Sequence, residues 1–443
     1  MTVKRNGVYW FTHDLRVNDN QLLHKAAQEL DELICLYCVP KITSFLQRFA
    51  QQHQLGKARQ QFIHQSVHEL SQSLRRYDQT LLIMDRTPVT VLRHLIENYH
   101  VTHLYCDQFA GSDEQQVCTQ IQQEFPYLLV SQLANNTLFD QGQLPFPLSE
   151  LPSTFTQFRK LVEPLAIMLP CSRPSSLPPA INVQLASLHL PLAAPEQTLY
   201  PGGEAAAIVH CQHYFATPSA SHYKKTRNAL DDELSSTKFS PWLALGCVSP
   251  KTIVAMLHHY EAQQGQNEST YWIVFELLWR EYFYWYARRY QSTLFQFAGI
   301  ANKRPLTSFY ASRYLQWVKG HTPYPIVNAC MKQLNETGYL SNRGRQLVAS
   351  CLIHELGLDW RYGAAYFETQ LLDYDVASNW GNWQYLAGVG ADPRGSRQFN
   401  LDKQTELYDP EQHFIKRWHG EDNVTDIYAV DMADWPIMPE DKE

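Results

Sequence analysis

Short apolar runs and longer polar stretches alternate through the first part of the chain, up to about residue 130. The longer stretches repeat apolar side chains at the helical period, as in residues 58–77 and 89–100, and are predicted to be helices. The short runs are predicted strands, and they are GVYWF, ELICLYCV, TLLIM and HLYCD. This alternation indicates a parallel sheet covered on both faces, a doubly wound α/β domain over residues 1–134. Ligands of such sheets lie at the carboxyl ends of the strands.

A proline-rich linker is predicted next, over residues 135–201. Nine of the chain's 24 prolines fall between positions 151 and 201. Because proline removes backbone donors and restricts its neighbours, we expect an ordered segment that wraps over a surface. One short helix is predicted in it, around FTQFRKLVE.

Strand patterns nearly vanish after the linker. Stretches such as 269–290 and 343–372 have helical period, polar caps and many aromatic side chains, so residues 202–420 are predicted to form an all-α domain. No internal repeat is visible. Residues 421–443 carry eight acids and one lysine and are expected to form a loosely held tail.

The composition is that of a globular protein. A chain of 443 residues, 44% apolar and 18% charged, is long enough for two or three domains. It has no run of eighteen apolar residues and no secretory signal pattern, so we expect a cytoplasmic protein with no membrane contact. Nine scattered cysteines include one CxxC pair, Cys35 and Cys38, with no second pair or histidine cluster nearby. Buried, reduced thiols and no metal site are therefore expected.

Charge is unevenly distributed along the chain. The net charge of −7 argues against an obligate, indiscriminate nucleic-acid binder. However, residues 1–201 carry 17 acids against 15 bases, whereas residues 202–420 carry 21 bases against 19 acids. A site for a polyanion is therefore expected in the helical domain.

A run of hydroxyl side chains and a lysine precedes an apolar helix in SSTKFSPWLALGCVSP, residues 235–250. Free N–H groups at a helix N-terminus attract anions, so Thr237, Lys238 and Ser240 are candidates for binding a phosphate. An ordinary helix N-cap explains the same residues.

Glu276 and Arg280 lie four residues apart in a helix rich in aromatic side chains. They form either a solvated surface bridge or the polar lining of a cavity whose floor is made of rings.

Further polar residues cluster nearer the C-terminus. Asn342 and Arg345 share one face at the start of a predicted helix, and Asp373 and Asp375 lie near the end of a later one. The helix dipole disfavours acids there, so both need another partner. A flavin adenine dinucleotide (FAD) would account for these features, since it offers a pyrophosphate to cations, hydroxyls to carboxylates and a ring edge to an amide. The spacing alone does not single out flavin.

Six segments together resemble the photolyase and cryptochrome superfamily. They are VYWFTHDLRVNDN, STKFSPWLALGCVSP, ELLWREYF, TGYLSNRGRQLVAS, DWRYGAAYFETQLLDYDVASNWGNWQY and GVGADPRGSRQFN. The last three are similar to cryptochromes of the DASH class. The segments follow the family's order from residue 8 to about residue 418. The resemblance implies an α/β antenna domain, a linker and a helical domain that binds FAD in a folded shape.

The resemblance also implies the cofactor contacts. The residues implied to contact the phosphate and ribityl part are Tyr223, Thr237, Lys238, Phe239 and Ser240. Those implied to surround the rest are Glu276, Arg280, Asn342, Arg345, Asp373, Asp375 and Asn379. Arg345 and Asp373 would pair over the ring, and the Asn379 amide would accept from flavin N5–H without taking a charge.

An electron path from the flavin is implied to begin at Trp383 and to continue through Trp360. The third, surface tryptophan of the family falls at Thr307, unless the register slips. The final donor is therefore left open, and the other candidates are Tyr310, Tyr314 and Trp317.

The repair pocket is partly matched. Glu276, Trp279 and Asn342 stand where photolyases contact a cyclobutane pyrimidine dimer, but Tyr385 replaces a tryptophan on which the lesion stacks. DASH proteins act on dimers in single-stranded DNA, since a duplex must first lose a few kcal/mol of stacking and pairing. The implied mechanism is excitation of reduced FAD by an antenna, electron donation to the dimer, ring splitting and return of the electron. Glu276 would donate a hydrogen bond to the dimer and so needs a proton, which burial favours.

The implied partners are nucleic acid and an antenna pigment. Candidate DNA contacts, each otherwise ordinary surface charge, are Lys224, Lys225, Arg343, Arg394 and Arg397. Glu114, in FAGSDEQQ, falls near the acid that contacts the pterin of 5,10-methenyltetrahydrofolate in relatives. A plain loop acid, an empty site and a deazaflavin antenna stay open. RNA binding is also left open, and a monomer is expected.

Two other functions compete with repair. A blue-light photoreceptor with a conformational output is favoured by Thr307 and the acidic tail. A flavin oxidoreductase without photochemistry needs a nicotinamide site, and no GxGxxG follows a predicted strand.

Overall fold

A parallel five-stranded sheet forms the N-terminal part of the protein. The computed structural model describes residues 4–192, 199–390, 395, 397–422 and 424. The strands are β1 (Asn6–Phe11), β2 (Glu32–Cys38), β3 (Leu81–Met84), β4 (Val101–Asp107) and β5 (Leu129–Leu133). Their order in the sheet is β3-β2-β1-β4-β5, and every neighbouring pair is parallel. The order reverses between β1 and β4, so this is where a doubly wound sheet opens its crevice.

Helices cover both faces of the sheet. They are α1 (Gln21–Glu29), α3 (Lys57–Arg75), α4 (Pro88–Tyr99) and α5 (Ser112–Glu124), whereas α2 (Ser44–Ala50) packs on the helix Trp360–Gln370. Every residue of β1 is buried, which explains its unbroken apolar run. The four predicted strands are confirmed. The strand β5 was not predicted, because this edge strand is largely half-exposed and its sequence, LVSQL, has no continuous apolar run.

The proline-rich segment lies against the sheet. Leu33 donates to the carbonyl of Pro179 at 2.9 Å, Ile181 donates to that of Leu33 at 3.1 Å, and Leu188 donates to that of Ile83 at 2.8 Å. These bonds fix the segment along β2 and β3. The short predicted helix is α6 (Phe155–Val162).

The remainder of the described chain is helical. Its helices are α7 (Glu204–Phe215), α8 (Tyr223–Thr226), α9 (Ser240–Ala244), α10 (Pro250–Gln264), α11 (Glu268–Tyr290), α12 (Ala311–Lys319), α13 (Pro325–Thr337), α14 (Asn342–Ser350), α15 (Trp360–Gln370), α16 (Val376–Ala387), α17 (Leu401–Tyr408) and α18 (His413–Arg417). A π-helical turn, Cys351–Glu355, follows α14. The predicted fold class, a doubly wound α/β part followed by an all-α part, is confirmed.

Buried polar contacts join the carboxyl edge of the sheet to the helices. Arg16, after β1, donates to the carbonyl of Gly246 at 2.8 Å. Glu281 of α11 accepts from the N–H groups of Leu138 at 2.8 Å and Phe139 at 3.3 Å. Burial raises the pKa of Glu281 to about 7, although these donors oppose the shift. The long helix α11 is therefore fixed against the loop that follows β5.

All nine cysteines are free, and eight of them are buried while Cys171 is half-buried. Among the described residues, no group of three or more metal-ligating side chains comes together. No helix in the same ranges has the length and apolar character needed to cross a membrane.

Candidate cofactor and nucleic-acid site

An ion pair between α14 and the turn after α15 lies at the centre of the candidate site. Arg345 Nη2 lies 2.7 Å from Asp373 Oδ2, and Arg345 Nε donates to the carbonyl of Leu340 at 2.8 Å. The Asp373 side chain is 2% exposed. Its second oxygen, Oδ1, is buried and has no hydrogen-bond partner among the described residues. A buried carboxylate oxygen needs a donor, so this atom indicates a ligand at this position.

Asp375 has a structural role that the sequence pattern did not indicate. It is the N-cap of α16 and accepts from the N–H of Ser378 at 2.7 Å. It also lies 3.5 Å from Arg280 Nη2. Asp375 therefore has the other partners that its position required, because the next helix begins at once and offers its free N–H groups.

Glu276 and Arg280 do not form the i, i+4 pair that the sequence suggested. Arg280 donates to the carbonyls of Asn136 at 2.5 Å and Leu243 at 3.3 Å. Glu276 is ion-paired instead with Arg227, which follows α8. Glu276 and Arg280 thus bind to different elements that pack against α11, and no bridge forms between them.

Asn379 of α16 is buried and held in one orientation. Its amide nitrogen donates to the carbonyl of Ala364 at 3.0 Å. The amide oxygen is thereby left as the acceptor, which is the atom that a flavin N5–H requires. Trp383, one turn further along, lies so close to Gly363 that any side chain there would clash with the indole. This close packing orders the α15–α16 face of the site.

The phosphate-binding candidates lie around α9. Tyr223, Lys238 and Phe239 are buried, and Thr237 and Ser240 are half-buried. Lys238 has a φ of 52°, a left-handed conformation that costs a lysine roughly 1 kcal/mol or more. Its Nζ lies 4.9 Å from the ring centroid of Tyr339. Since α9 has only five residues, its dipole is short, and an anion here depends on the lysine and the hydroxyls.

An aromatic wall adjoins Glu276. Trp279 stacks on Phe155 of α6 at 3.8 Å and contacts Tyr385 of α16 edge-on at 6.2 Å. The guanidinium of Arg397 lies 4.5 Å from the Tyr385 ring centroid. Asn342 is exposed at the first position of α14. The predicted lesion contacts thus include two half-exposed rings and a carboxylate on adjoining helices.

Ring contacts extend from Trp383 towards α12. Trp383 lies 6.4 Å from Trp317, and Trp317 lies 6.3 Å from Tyr314. Trp360 has a ring contact with Trp380, at 5.8 Å. Of the three candidates for the final donor, Trp317 and Tyr314 therefore belong to a ring series that includes Trp383, whereas Tyr310 contacts the guanidinium of Arg313.

The predicted DNA-binding cations have different environments. Lys224 is ion-paired with Glu268, and Lys225 is exposed. Arg343 donates to Gln404 and Asn228, both at 3.3 Å. Arg394 lies outside the described residues. Arg227 was not predicted, although the run YKKTR places it in the same turn as the two lysines.

Glu114 lies in the first turn of α5, where its carboxylate fills the space that a side chain at Gly111 would need. Gly111 itself lies near Val376 of α16. A second carboxylate, that of Glu368, is close enough for the two charges to repel. Burial raises the pKa of Glu368, and the charge of Glu114 adds to this effect. Glu114 therefore lies between the sheet and the helical part.

Comparisons with known proteins agree with this architecture. The family model described as "DNA photolyase" matches residues 7–177, and that described as "FAD binding domain of DNA photolyase" matches residues 272–435. A cryptochrome DASH of Vibrio parahaemolyticus is 60% identical over 98% of this chain and 98% of its own length. A cryptochrome DASH of Arabidopsis thaliana is 36% identical over 94% of this chain and 76% of its own length.

Solved structures show the same fold. A Synechocystis cryptochrome superposes with a TM-score of 0.86 at 37% identity, covering 94% of this chain and 89% of that one. A class III photolyase from Agrobacterium tumefaciens gives a TM-score of 0.79 at 25% identity, covering 94% and 87%. Motifs, fold and relatives agree, and the chain belongs to the cryptochrome DASH group of the photolyase and cryptochrome superfamily.

Proposed function

We propose that this protein repairs cyclobutane pyrimidine dimers in single-stranded DNA under blue light, with FAD as its redox cofactor. The observation that carries the proposal is that Glu276 and Trp279 lie three residues apart on one face of α11, and that the half-exposed Trp279 ring contacts the ring of Tyr385. A flipped dimer offers carbonyl and N–H groups to a carboxyl and apolar faces to rings.

The residues of the site fit FAD. The unpartnered Asp373 Oδ1 suits a ring N–H or a hydroxyl, and the Asn379 amide oxygen suits N5–H. Lys238 supplies positive charge for the phosphates. When bound, FAD supplies an electron to the dimer on illumination, while the side chains position the lesion and exclude water. Glu276 provides a hydrogen bond to the dimer once it carries a proton.

Single strands are favoured because this pocket offers limited stacking. Phe155 already covers one face of Trp279, and the second wall is a tyrosine. Opening a duplex costs a few kcal/mol, and a pocket with little free ring surface compensates for this poorly.

A repair assay tests the proposal. The FAD-loaded, reduced protein is mixed with a single-stranded oligonucleotide carrying one thymine dimer, in light and in darkness, beside the same lesion in a duplex. We expect light-dependent repair of the single strand and strongly reduced repair by a Glu276→Ala variant. An Asp402→Asn variant, altered at an exposed acid of α17, is the matched control. Absence of repair by protein with reduced flavin contradicts the proposal.

A photoreceptor without repair is the second candidate. The observation in its favour is Thr307, which stands at the family's surface tryptophan and whose hydroxyl is buried without a partner among the described residues. The same assay separates the two functions, since a photoreceptor responds to light but leaves the dimer intact.

We further propose a folate antenna next to α5. Glu114 lies in the first turn of α5, its charge adds to the burial that raises the pKa of Glu368 in the helical part, and pterin N–H groups pair well with carboxylates. Protein purified with the pigment should lose most of its folate absorbance in a Glu114→Ala variant, while its FAD content stays unchanged. Equal folate content in both proteins contradicts this assignment.

A further inference from the structure

The ion pair between Arg227 and Glu276 conflicts with the proposed role of Glu276. A carboxylate that pairs with a guanidinium is ionised, and an ionised carboxylate accepts but cannot donate a hydrogen bond. In the structure, Glu276 has this pairing, and both side chains are partly accessible, at 31% and 23% exposure. In the protein without DNA, Glu276 is therefore ionised and cannot donate a hydrogen bond to a dimer.

Burial opposes the charge of Glu276, whereas Arg227 and, to a smaller extent, the Trp272 side chain favour it. Burial raises the pKa of Glu276, and the charge of Arg227 is the largest effect that lowers it. Burial raises the pKa of the Tyr223 phenol, on α8, and the charge of Glu276 adds to this effect. Arg280, on α11 itself, is directed to Asn136, Leu243 and Asp375 instead. Without Arg227, no cation among the described residues forms an ion pair with Glu276.

Arg227 is placed where DNA can compete for it. Its guanidinium lies 5.4 Å from the Trp272 ring centroid, and Lys224 Nζ lies 4.5 Å from the same centroid. Arg343 is close enough for the two positive charges to repel. Burial lowers the pKa of Arg343, and the charge of Arg227 contributes. A phosphate between these cations would relieve their repulsion, and arginine binds phosphate with two parallel hydrogen bonds.

The Arg227 side chain can change partner without a movement of α8. The N–H of Lys224 donates to the Ser269 hydroxyl at 3.2 Å, which fixes the start of α8 against the start of α11. Arg227 is the C-cap of α8, at the opposite end. A rotation of its long side chain is enough to exchange the carboxylate for a phosphate.

We propose that Arg227 leaves Glu276 for a backbone phosphate when single-stranded DNA binds, and that Glu276 then takes up a proton from solvent. This inference rests on the proposed function and makes Arg227 a positioning residue, because it acts on the dimer only through Glu276. DNA binding would thereby convert Glu276 from an acceptor into the donor that the dimer needs. Proton uptake on binding also means that affinity falls as the pH rises through the window in which Glu276 titrates.

The test is a count of protons taken up on binding. The FAD-loaded protein is titrated in darkness with a single-stranded oligonucleotide carrying one thymine dimer, by calorimetry in two buffers that differ in ionisation enthalpy. We expect uptake that approaches one proton per complex at the optimal pH for the wild type. A Glu276→Gln variant should take up almost none. His222, which is exposed and precedes α8, is present in both proteins, so any proton it binds cancels in the difference.

Three further variants separate charge from position. Arg227→Gln should bind more weakly and take up fewer protons, because Glu276 is then already protonated before binding. Arg227→Lys keeps the cation and should restore uptake. Lys224→Gln removes a cation from the Trp272 ring but leaves the ion pair of Arg227 with Glu276 intact. It should therefore weaken DNA binding with unchanged proton uptake.

The outcomes distinguish this inference from the function on which it rests. Equal uptake by the wild type and Glu276→Gln, in proteins that bind and repair DNA, overturns the role of Arg227 and leaves the repair function standing. Binding that is absent in every protein overturns both.

Discussion

Two polar clusters in this protein are built from the same kinds of side chain, yet their hydrogen bonding differs. The sheet-edge cluster lies at the carboxyl end of β1 and contains Tyr9, Asp14, Arg16, Asn20 and Asn135, all buried. The helical cluster lies around α9 and α14 to α16 and contains Lys238, Arg345, Asp373 and Asn379.

The sheet-edge cluster is satisfied by the protein itself. The Tyr9 hydroxyl donates to Asp14 at 2.6 Å, and the Asn135 amide nitrogen donates to Asn20 at 2.9 Å. Arg16 donates to three carbonyls, including that of Gly246 in the helical part. The crevice where doubly wound sheets usually bind ligands is therefore used to join the two parts of the chain.

The helical cluster keeps bonding capacity for a ligand. Asp373 has one oxygen on Arg345 and a second one that is buried without a partner in the described ranges. The comparison shows that residue type alone does not identify a site. A polar cluster becomes a candidate for ligand binding when its own partners do not satisfy it.

The largest effect is expected from breaking the sheet-edge cluster. Arg16→Met should lower the free energy of unfolding by roughly 3 kcal/mol or more, because several buried carbonyls lose a charged donor. Urea unfolding followed by circular dichroism measures this. The control is Arg173→Met at an exposed position, which should change stability by no more than about 0.5 kcal/mol. Similar losses in both variants would contradict the structural role of the cluster.

A second prediction concerns the helical cluster, where the effect should fall on the cofactor. Asp373→Asn should weaken FAD binding roughly 10- to 100-fold, the equivalent of one charge-assisted hydrogen bond. Flavin absorbance per folded protein after dialysis reports the loss. The Asp402→Asn control should retain FAD. If Asp373→Asn instead lost stability as Arg16→Met does and kept its flavin, the contrast between the clusters would be wrong.

The contact between Glu281 of α11 and the loop after β5 should give the free energy of unfolding a pH dependence of intermediate size. Burial raises the pKa of Glu281 from an unfolded value of 4.5 to about 7, so the folded state binds this proton more tightly. Its contribution to stability is present below pH 4.5 and is lost as the pH rises through 7, with a slope of at most about 1.4 kcal/mol per pH unit. Glu281→Gln should flatten this part of the stability profile measured by urea unfolding. An unchanged slope would show that other groups cause it.

The smallest effect is expected on DNA binding, from an exposed lysine of α8. Lys225 is exposed, so Lys225→Gln should weaken single-stranded DNA binding a few-fold and reduce the salt dependence by roughly 0.7 in the slope of log K against log salt. Fluorescence anisotropy at several salt concentrations measures both. Lys4→Gln, at the amino end of the sheet, should change neither. Equal slopes for wild type and Lys225→Gln would exclude a phosphate contact at this lysine.

Much of the fold could be predicted from hydrophobic pattern. Four strands, the helices α3, α4 and α11 and the linker helix α6 follow from runs whose period matches their burial. The strand β5 was missed because an edge strand with mixed side chains carries little periodic signal. The residue range of each domain stays a prediction.

The residues of the candidate site were predicted by motif, but only one of their pairings was. The ion pair of Arg345 with Asp373 agrees with the resemblance. The local bridge between Glu276 and Arg280, one of the two interpretations of their spacing, does not form, because spacing within one helix cannot show which other element packs on it. The cap formed by Asp375 was missed because the chain turns directly from α15 into α16.

The sequence by itself determined which residue types are available and in what order the strands and helices occur, because local periodicity records burial. It also carried the family motifs over nearly the whole chain. Only the tertiary structure decided that Arg227 meets Glu276, that the sheet crevice is filled by the protein's own side chains, and that one oxygen of Asp373 lacks a partner. The physical reason is that partner choice and burial depend on packing between elements far apart in sequence, which no local pattern contains.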